Sequence, residues 1–410
     1  MEFSSNIVLL TLFTVSLVLA AETAHDERRT IPSEEEKIEM ERQLKAINKP
    51  ALKSFKTENG EIFDCIDIRK QLAFDHPLLK NHSVQLKPTS VPVWIPSNNI
   101  SRNIGPLQLL QKRIRCPHGT VIVKRTTIQD LIHSQHLKSI GFNSPRHVFT
   151  EGNNIDLSGH HFATVEYDYS RVAGVTGNIN LWDPQVSHDQ VSIATMAIAQ
   201  GPIEHLASIS VGWMVNPLLY QDHIHLYTYW TADGYNKTGC YDIRCPGFVQ
   251  VSQRIPLGVL LHPVSIYTGT QYEMDLSLHQ DRATGDWWLV FGGVNVGYWP
   301  KSLFMGSGLV KGANLASWGG QVYSPKTEKS PIMGSGHFPK EGFGKAAFVN
   351  NIQILDGKGE AFIPQIYTIK TGESSPNCYK AKFIHDEDEP WIRAVYYGGP
   401  GGCIGQLSRN

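Results

Sequence analysis

The sequence predicts an all-β fold, an antiparallel two-sheet β-sandwich preceded by a small mixed α/β domain. The first observation is composition: 36 Gly, 23 Pro, 15 Tyr, 16 Phe and 9 Trp suit many short strands and turns. The second is a persistent period-two alternation after residue 160, as in HIHLYTYW and YEMDLSLH. The third is the close spacing of these strands, which leaves no room for intervening helices and therefore favours antiparallel pairing into two packed sheets.

The N-terminus carries an export signal. Residues 7–20 read IVLLTLFTVSLVLA, an apolar run too short to span a bilayer, and a charged stretch follows. We assign residues 1–20 to a signal peptide, although the segment before the run carries Glu2 and neither Lys nor Arg. Later segments are too polar or too short to span, so we expect a soluble mature chain that makes no membrane contact.

One helix is expected near the start of the mature chain. Residues 33–47, SEEEKIEMERQLKAI, place Glu36 three residues after Ser33, which is the signature of a capping box. Pro50 ends the helical pattern.

The remaining chain divides into two parts. Residues 61–140 alternate short strand-like runs with Pro and Asn breaks, and residues 141–159, GFNSPRHVFTEGNNIDLSG, have the composition of a linker. The predicted organisation is therefore a leading domain at 21–145 and a β-domain at 160–410. A length of 410 residues fits two folded units.

Six cysteines, an even number in an exported chain, favour disulfides over metal or catalytic thiols. Fifteen pairings are formally possible, and sequence order suggests Cys65 with Cys116, Cys240 with Cys245, and Cys378 with Cys403. A zinc site would need clustered pairs such as C-x-x-C, which the sequence lacks, so neither a metal nor a cofactor is expected. Sequons at Asn81, Asn99 and Asn236 predict N-glycosylation.

The net charge does not indicate a class of binding partner. The 37 basic and 38 acidic residues give a formal net charge of -1, which provides no field to attract nucleic acid or an anionic membrane. His223 and His225 have a spacing that metal sites use, but a structural role is the preferred interpretation. Ser210 lacks the G-x-S-x-G context of a serine hydrolase. No motif identifies a reaction by itself.

Long segments nevertheless resemble a known family. GEIFDCIDIRKQLAFDHPLLKNH, CPHGTVIVKRTT, VGWMVNPLLY, YTYWTADGYNKTGCYDIRCPGFVQ, VGYWPKSLF, WGGQVYS and MGSGHFPKEGFGKAAF are similar to the plant neprosin family, from about Glu61 to the C-terminus. The resemblance implies an activation peptide, which would be the chain's own partner, followed by a β-sandwich with a cleft. It also implies secreted, acid-acting glutamic endopeptidases that cut after proline.

The family mechanism implied by the resemblance uses two glutamates facing each other across the cleft. One carboxylate activates water as a general base, and its protonated partner stabilises the oxyanion. Here Ser210 stands where the family pattern I-E-x-G-W has its glutamate, and Gln321 stands where W-G-G-E-V has the other. The flanking Trp213 and Trp318 are expected to line the cleft.

These replacements predict a catalytically impaired secreted homologue, located outside the cell or in the cell wall, with the vacuole as an alternative. Its groove would bind proline-rich peptides or cell-wall polymers. The alternative is an active acid endopeptidase with a rewired site. Among the carboxylates that could replace the missing base, Glu204 would lie ~20 Å from Ser210 along a continuous strand, and no pattern places Glu273 or Asp275 in the cleft. A storage or wall protein without a ligand is a third interpretation.

Overall fold

The computed structural model describes residues 33–96, 102–103, 115–139, 159–202, 205–384 and 393–404, which form two compact units, 1–46 and 47–410. The expected signal peptide, residues 141–158 of the expected linker, Asn99 and Glu204 lie outside the described residues. Among the described residues, no helix combines the length and apolarity that crossing a membrane requires.

The first unit contains helix α1, Glu34–Ile47, except for the last residue of the helix, Ile47, which belongs to the second unit. The capping box is confirmed: the backbone N–H of Ser33 donates to Glu36 Oε2 at 2.7 Å, and the N–H of Glu36 donates to Ser33 Oγ at 3.2 Å. This reciprocal pair satisfies two backbone donors that the first turn of a helix leaves without intrahelical partners.

The second unit begins with a small antiparallel sheet in the order β1–β2–β4. Its strands and the helix that follows are β1 Ala51–Lys56, β2 Ile62–Asp67, β4 Thr120–Lys124 and α2 Ile128–Ser139, with β3 Arg102–Asn103 pairing elsewhere. Two hydrogen bonds from the guanidinium of Arg125 to Asp64 join the end of β4 to β2. The sequence predicted a mixed α/β segment here, but it did not predict helix α2.

Sixteen strands of the described residues form the large sheet. Besides β3 they are β5 His160–Asn180, β6 Val191–Gln200, β7 Ala207–Asn216, β8 Gln221–Thr231, β9 Cys240–Tyr241, β10 Val249–Gln250, β11 Tyr272–Gln280, β12 Trp287–Phe291, β13 Val294–Trp299, β14 Ala313–Tyr323, β15 Ala347–Asp356, β16 Ala361–Phe362, β17 Ile369–Glu373, β18 Lys380–Ile384 and β19 Ala394–Gly398. One α-helical turn, α3 Pro217–Tyr220, joins β7 to β8. Short 3₁₀ segments lie at Leu72–Asp75, Pro77–Leu79, Lys301–Phe304, Gly308–Lys311, Pro339–Glu341 and Ile366–Thr368.

The long strand β5 belongs to two layers. Its first half lies between β17 and β14, which continues through β6, β7, β8 and β9; we call this layer A. Its second half lies between β15 and β11, which continues through β12, β13 and β10; we call this layer B. Every pairing named here is antiparallel, and the curled sheet therefore confirms the predicted antiparallel β fold.

The main hydrophobic core lies between the layers. Strand β8 shows the predicted alternation: Ile224, Leu226 and Trp230 belong to this core, whereas Tyr227 and Tyr229 belong to a second cluster on the opposite face of layer A. All ten residues of β7 are buried, so both faces of layer A are covered along that strand.

Three disulfides confirm the pairings suggested by sequence order: Cys65–Cys116, Cys240–Cys245 and Cys378–Cys403. The described residues include no free cysteine. The first bond fastens β2 to the chain just before β4, the second closes the turn after β9, and the third joins the segment before β18 to the chain after β19.

Candidate functional site

Ser210 and Gln321 lie on the same face of layer A, on two strands that both pair with β6. Ser210 is opposite Ala197, and Gln321 is opposite Ile193. Because Ala197 and Ile193 are four residues apart, an even offset, both side chains leave the sheet on the same side. We call this surface the dyad face. The two Cα atoms are separated by two strand spacings and four residues, roughly 16 Å on a flat sheet.

The resemblance implied two glutamates that face each other across a cleft. The register places both positions on one layer, so the curvature of the layer and the length of the side chains determine whether the two groups can meet. Serine and glutamine are unequal in this respect, since serine is two carbons shorter than glutamate while glutamine has the same length.

The structure corrects the expectation for the two tryptophans. Trp213 lies three residues after Ser210, and Trp318 lies three residues before Gln321, so each odd offset puts the indole on the opposite face of its strand. Both are fully buried in the core between the layers. Trp213 Nε1 donates to the backbone carbonyl of Asn180 at 2.8 Å. Both indoles therefore pack on the core side of layer A, opposite the dyad face, and do not line that face.

Gln321 is almost fully buried and is oriented by a histidine. Its Nε2 lies 3.0 Å from Nδ1 of His160, so the amide donates and the imidazole nitrogen accepts. The ring of His160 lies 4.8 Å from that of Tyr323, centroid to centroid, on the neighbouring strand. One amide N–H is therefore engaged within the protein, and the orientation of the Gln321 side chain is fixed.

Ser210 lies beside a cluster of tyrosines. Tyr229 is its direct partner on β8 and packs against Tyr241 at 4.8 Å and Tyr235 at 6.0 Å between ring centroids. Two residues earlier on β8, the hydroxyl of Tyr227 donates a hydrogen bond to Thr195 Oγ1 at 2.8 Å. Burial raises the pKa of Tyr227, so this phenol stays neutral and does not replace a carboxylate as base.

A carboxylate that the sequence reasoning missed lies on the same face. Glu166 is opposite Ser317, which is opposite Ala197, the partner of Ser210. Three strand spacings, about 14 Å, therefore separate Glu166 from Ser210 along one row. Its Oε1 lies 3.3 Å from the hydroxyl of Thr164, and the side chain is half-buried. Side chains in HHFATVEYDY alternate between the two faces of β5. Glu166 lies four residues after Phe162, the strand partner of Gln321, and this even offset could have shown that Glu166 shares the dyad face.

Glu273 and Asp275, two of the candidate carboxylates in the sequence, do not reach this face. Glu273 is fully buried on layer B, where it accepts hydrogen bonds from the side-chain amides of Asn178 at 3.0 Å and Asn350 at 2.9 Å. Asp275 follows on the same strand, and burial raises its pKa. Neither residue can serve as the missing base beside Ser210.

The structural interpretation of His223 and His225 also fits the contacts. His223 Nδ1 lies 2.7 Å from Asp183 Oδ2. His225 is buried, with Nδ1 2.8 Å from the carbonyl of His223 and Nε2 3.3 Å from Glu61 Oε1. The side chains turn to different partners and do not converge on one point.

Residues 47–139, which we call the leading segment, contribute to the covering of the dyad face. Leu137 of helix α2 belongs to the buried cluster that contains Ile193, Met214 and Tyr227. His133 Nδ1, on the same helix, lies 2.9 Å from the carbonyl of Leu218 in α3. The leading segment also contains the buried residue Glu61, whose carboxylate pairs with Lys124 and with His225. The leading segment is thus packed onto layer A close to the candidate site.

Two family profiles match the chain. One, described as Neprosin, matches residues 188–400, just over half of the sequence, and the other, described as Neprosin activation peptide, matches residues 54–166. Among solved structures, the chain is similar to the crystal structure of scytalido-glutamic peptidase with a transition state analog inhibitor, at 9% sequence identity and a TM-score of 0.32. That similarity covers 58% of this chain and 98% of the other.

Proposed function

Because this chain belongs to the neprosin family, we propose that it is a secreted, catalytically impaired homologue that uses its groove to bind proline-rich peptides or cell-wall polymers. The observation that carries the proposal is the pair Ser210 and Gln321, which occupies both glutamate positions of the family pattern on one buried sheet face. The chain also carries its own activation-peptide segment, matched at residues 54–166.

The catalytic impairment follows from the loss of a general base. A serine hydroxyl and a glutamine amide do not ionise under working conditions, so neither can remove a proton from water as a carboxylate does. A positioned general base contributes typically ~10² to ~10⁴-fold to rate, and the partner's acid function is lost as well. Gln321 keeps the shape of glutamate and a hydrogen-bond donor, so the decisive loss is at Ser210.

Three features support export. The apolar run at residues 7–20 has the form of a signal peptide, three disulfides suit an oxidising compartment, and the sequon residues Asn81 and Asn236 are exposed. Glycosylation at these two positions, and at Asn99, remains part of the proposal.

Aromatic residues on the dyad face support a binding role. Tyr227 and Tyr229 lie on this face, and tyrosine rings stack on proline rings and sugars while their hydroxyls reach polar groups. Leu137 of the leading segment belongs to the same buried cluster, so removal of the leading segment would uncover part of this cluster for a ligand.

The test compares the intact precursor with protein from which the leading segment has been removed. We expect the trimmed protein to be retained on immobilised proline-rich peptide or on cell-wall polymer, the precursor to bind less, and neither to cleave the peptide at acidic or neutral pH. A Tyr229→Ala variant should lose retention, whereas Tyr367→Ala, which alters a tyrosine that is 83% exposed, should keep it. Robust cleavage by the wild type, lost in Gln321→Ala, would overturn the impaired assignment.

Glu166 favours the alternative, an active acid endopeptidase with a rewired site, because it supplies a carboxylate on the dyad face. In that case Glu166→Gln would abolish cleavage of a proline-rich peptide, and Asp168→Asn, two residues along the same strand, would not. Absence of cleavage in the wild type would reject this alternative.

A further inference from the structure

A compact group of metal-binding side chains lies between helix α2 and the loop that joins β5 to β6. His136 on the helix and His188 and Asp189 in the loop place one ligand atom each within 4.8 Å of one another. His136 Nε2 lies 3.0 Å from Asp189 Oδ1, and His188 Nδ1 lies 2.8 Å from the same oxygen. Two imidazoles therefore converge on one carboxylate.

The donor set suits zinc. Imidazole nitrogen and carboxylate oxygen bind Zn²⁺ at about 2.0 to 2.2 Å, and a tetrahedral arrangement then sets the ligand atoms about 3.3 Å apart. The two contacts to Asp189 already fall close to that spacing, so an ion bound among the three ligand atoms would replace these hydrogen bonds. Calcium and magnesium prefer oxygen ligands and fit this set poorly.

The exposure of the three residues also fits an ion. The side chain of His188 is 68% exposed, that of His136 38% and that of Asp189 32%, so an ion can enter from solvent and keep a water as its fourth ligand. The nearby His133 does not count as a ligand, because Nδ1 lies 2.9 Å from the carbonyl of Leu218 and Nε2 lies 2.6 Å from the amide of Gln129.

We propose that His136, His188 and Asp189 form a zinc site that clamps the leading segment to layer A. Helix α2 supplies one ligand and also carries Leu137, which packs in the cluster on the dyad face. A bound ion therefore links occupancy of the site to retention of the leading segment over the cluster that contains Ile193, the strand partner of Gln321. The zinc site would hold the leading segment whether or not the protein is a peptidase.

The first measurement is zinc binding to the full-length precursor by isothermal titration calorimetry after treatment with EDTA. We expect one Zn²⁺ per chain, with affinity reduced at least about tenfold in His188→Gln and in Asp189→Asn. His205→Gln removes an exposed histidine elsewhere and should bind as the wild type does. Co²⁺ in place of Zn²⁺ should give visible absorption bands of a tetrahedral site, and these bands should be lost in His136→Gln.

The second measurement tests the clamp. A recognition sequence for a specific protease, inserted between Asn153 and Asn154, lets the chain be cut without disturbing the ligands. Release of the leading segment should be slower with Zn²⁺ than with EDTA, and the two rates should become equal in His188→Gln, whose exposed side chain is replaced without altering the core. Absence of zinc binding by the folded wild type, or unchanged binding in a folded His136→Gln/His188→Gln double variant, would overturn the site. Tight binding with identical release rates would overturn the clamp.

Discussion

The side-chain amide of Gln321 donates a hydrogen bond to Nδ1 of His160 at 3.0 Å. A glutamate at this position could accept from the protonated ring in the same place, so the surroundings that would orient a carboxylate are still present. At the other family position, Ser210 is fully buried beside Tyr229 and lacks the length of glutamate. The loss of the catalytic pair is therefore unequal at its two positions.

Restoring both glutamates should restore proteolysis. We expect the Ser210→Glu/Gln321→Glu variant, freed of its leading segment, to cleave a proline-rich peptide under acidic conditions, where two close carboxylates can share a proton. Ser210→Glu alone should recover a smaller part, and Gln321→Glu alone should stay inactive, because a general base is worth ~10² to ~10⁴-fold. Cleavage products can be identified by mass spectrometry.

The matched control for this experiment is Ser208→Glu/Gln321→Glu. Ser208 is also fully buried and lies two residues before Ser210 on the same face, so this variant adds the same charge at the wrong distance. It should remain inactive. If the restored pair folds, as judged by circular dichroism, and still fails to cleave, then more than the pair has been lost.

Trp213 should contribute to stability and have no direct part in binding. It is fully buried and donates to the carbonyl of Asn180, so Trp213→Ala should lower the free energy of unfolding by ~3 to ~5 kcal/mol in urea denaturation. The exposed aromatic Tyr367 gives the matched control, and Tyr367→Ala should change stability little. If a Trp213→Phe variant folds stably but loses ligand affinity, then Trp213 contributes directly to binding.

The sequence predicted strands such as β8 because apolar and polar residues alternate along them. It predicted the helix start because Ser33 and Glu36 form a local pair. It could also have separated Ser210 from Trp213, since an odd offset on one strand always means opposite faces. It could not show which face is the inner one. Every residue of β7 is buried, so the pattern carries no contrast between a core side and a covered side.

Other parts of the site depend on register, which no single strand encodes. The row that joins Ser210, Ser317 and Glu166 runs across four strands from distant parts of the chain. The cluster of His136 with His188 and Asp189 likewise unites a helix and a loop about fifty residues apart, so it has no local spacing pattern. Such groupings appear only when the sheet is assembled.

Glu61 should be a stabilising contact of the leading segment. Its carboxylate is paired with Lys124 and lies 3.3 Å from Nε2 of the buried His225. Glu61→Gln removes the negative charge and leaves the half-buried Lys124 and the buried His225 without their carboxylate partner, which should cost ~3 to ~5 kcal/mol of unfolding free energy. Glu34→Gln, which alters an exposed pair with Lys37 in helix α1, is the control and should have no measurable effect. Equal stability of the two variants would show that the Glu61 contacts contribute nothing.

Stability should fall as the solution becomes acidic, in two steps. Burial lowers the pKa of His161 and of His279 to about 4, so both favour the neutral form in the folded protein; their contribution is complete above the unfolded value of 6.5 and is lost as pH falls toward 4. For Glu61, burial alone would raise the pKa, but the hydrogen bond from His225 and the charge of Lys124 outweigh it and lower the pKa to about 2. Its contribution is present above 4.5 and is lost as pH falls toward 2.

His279 gives the sharpest test of the first step, because both of its ring nitrogens are buried without a hydrogen-bond partner among the described residues. Its shift corresponds to about 3 kcal/mol between pH 6.5 and 4. Urea denaturation across this range should give a shallower pH dependence for His279→Gln than for the wild type, whatever the absolute stability of the variant. His205→Gln, at an exposed histidine, should keep the wild-type slope. An unchanged slope in a folded His279→Gln protein would mean that the buried imidazole does not titrate in this window, and the acid sensitivity would then have to come from His161 and the carboxylates.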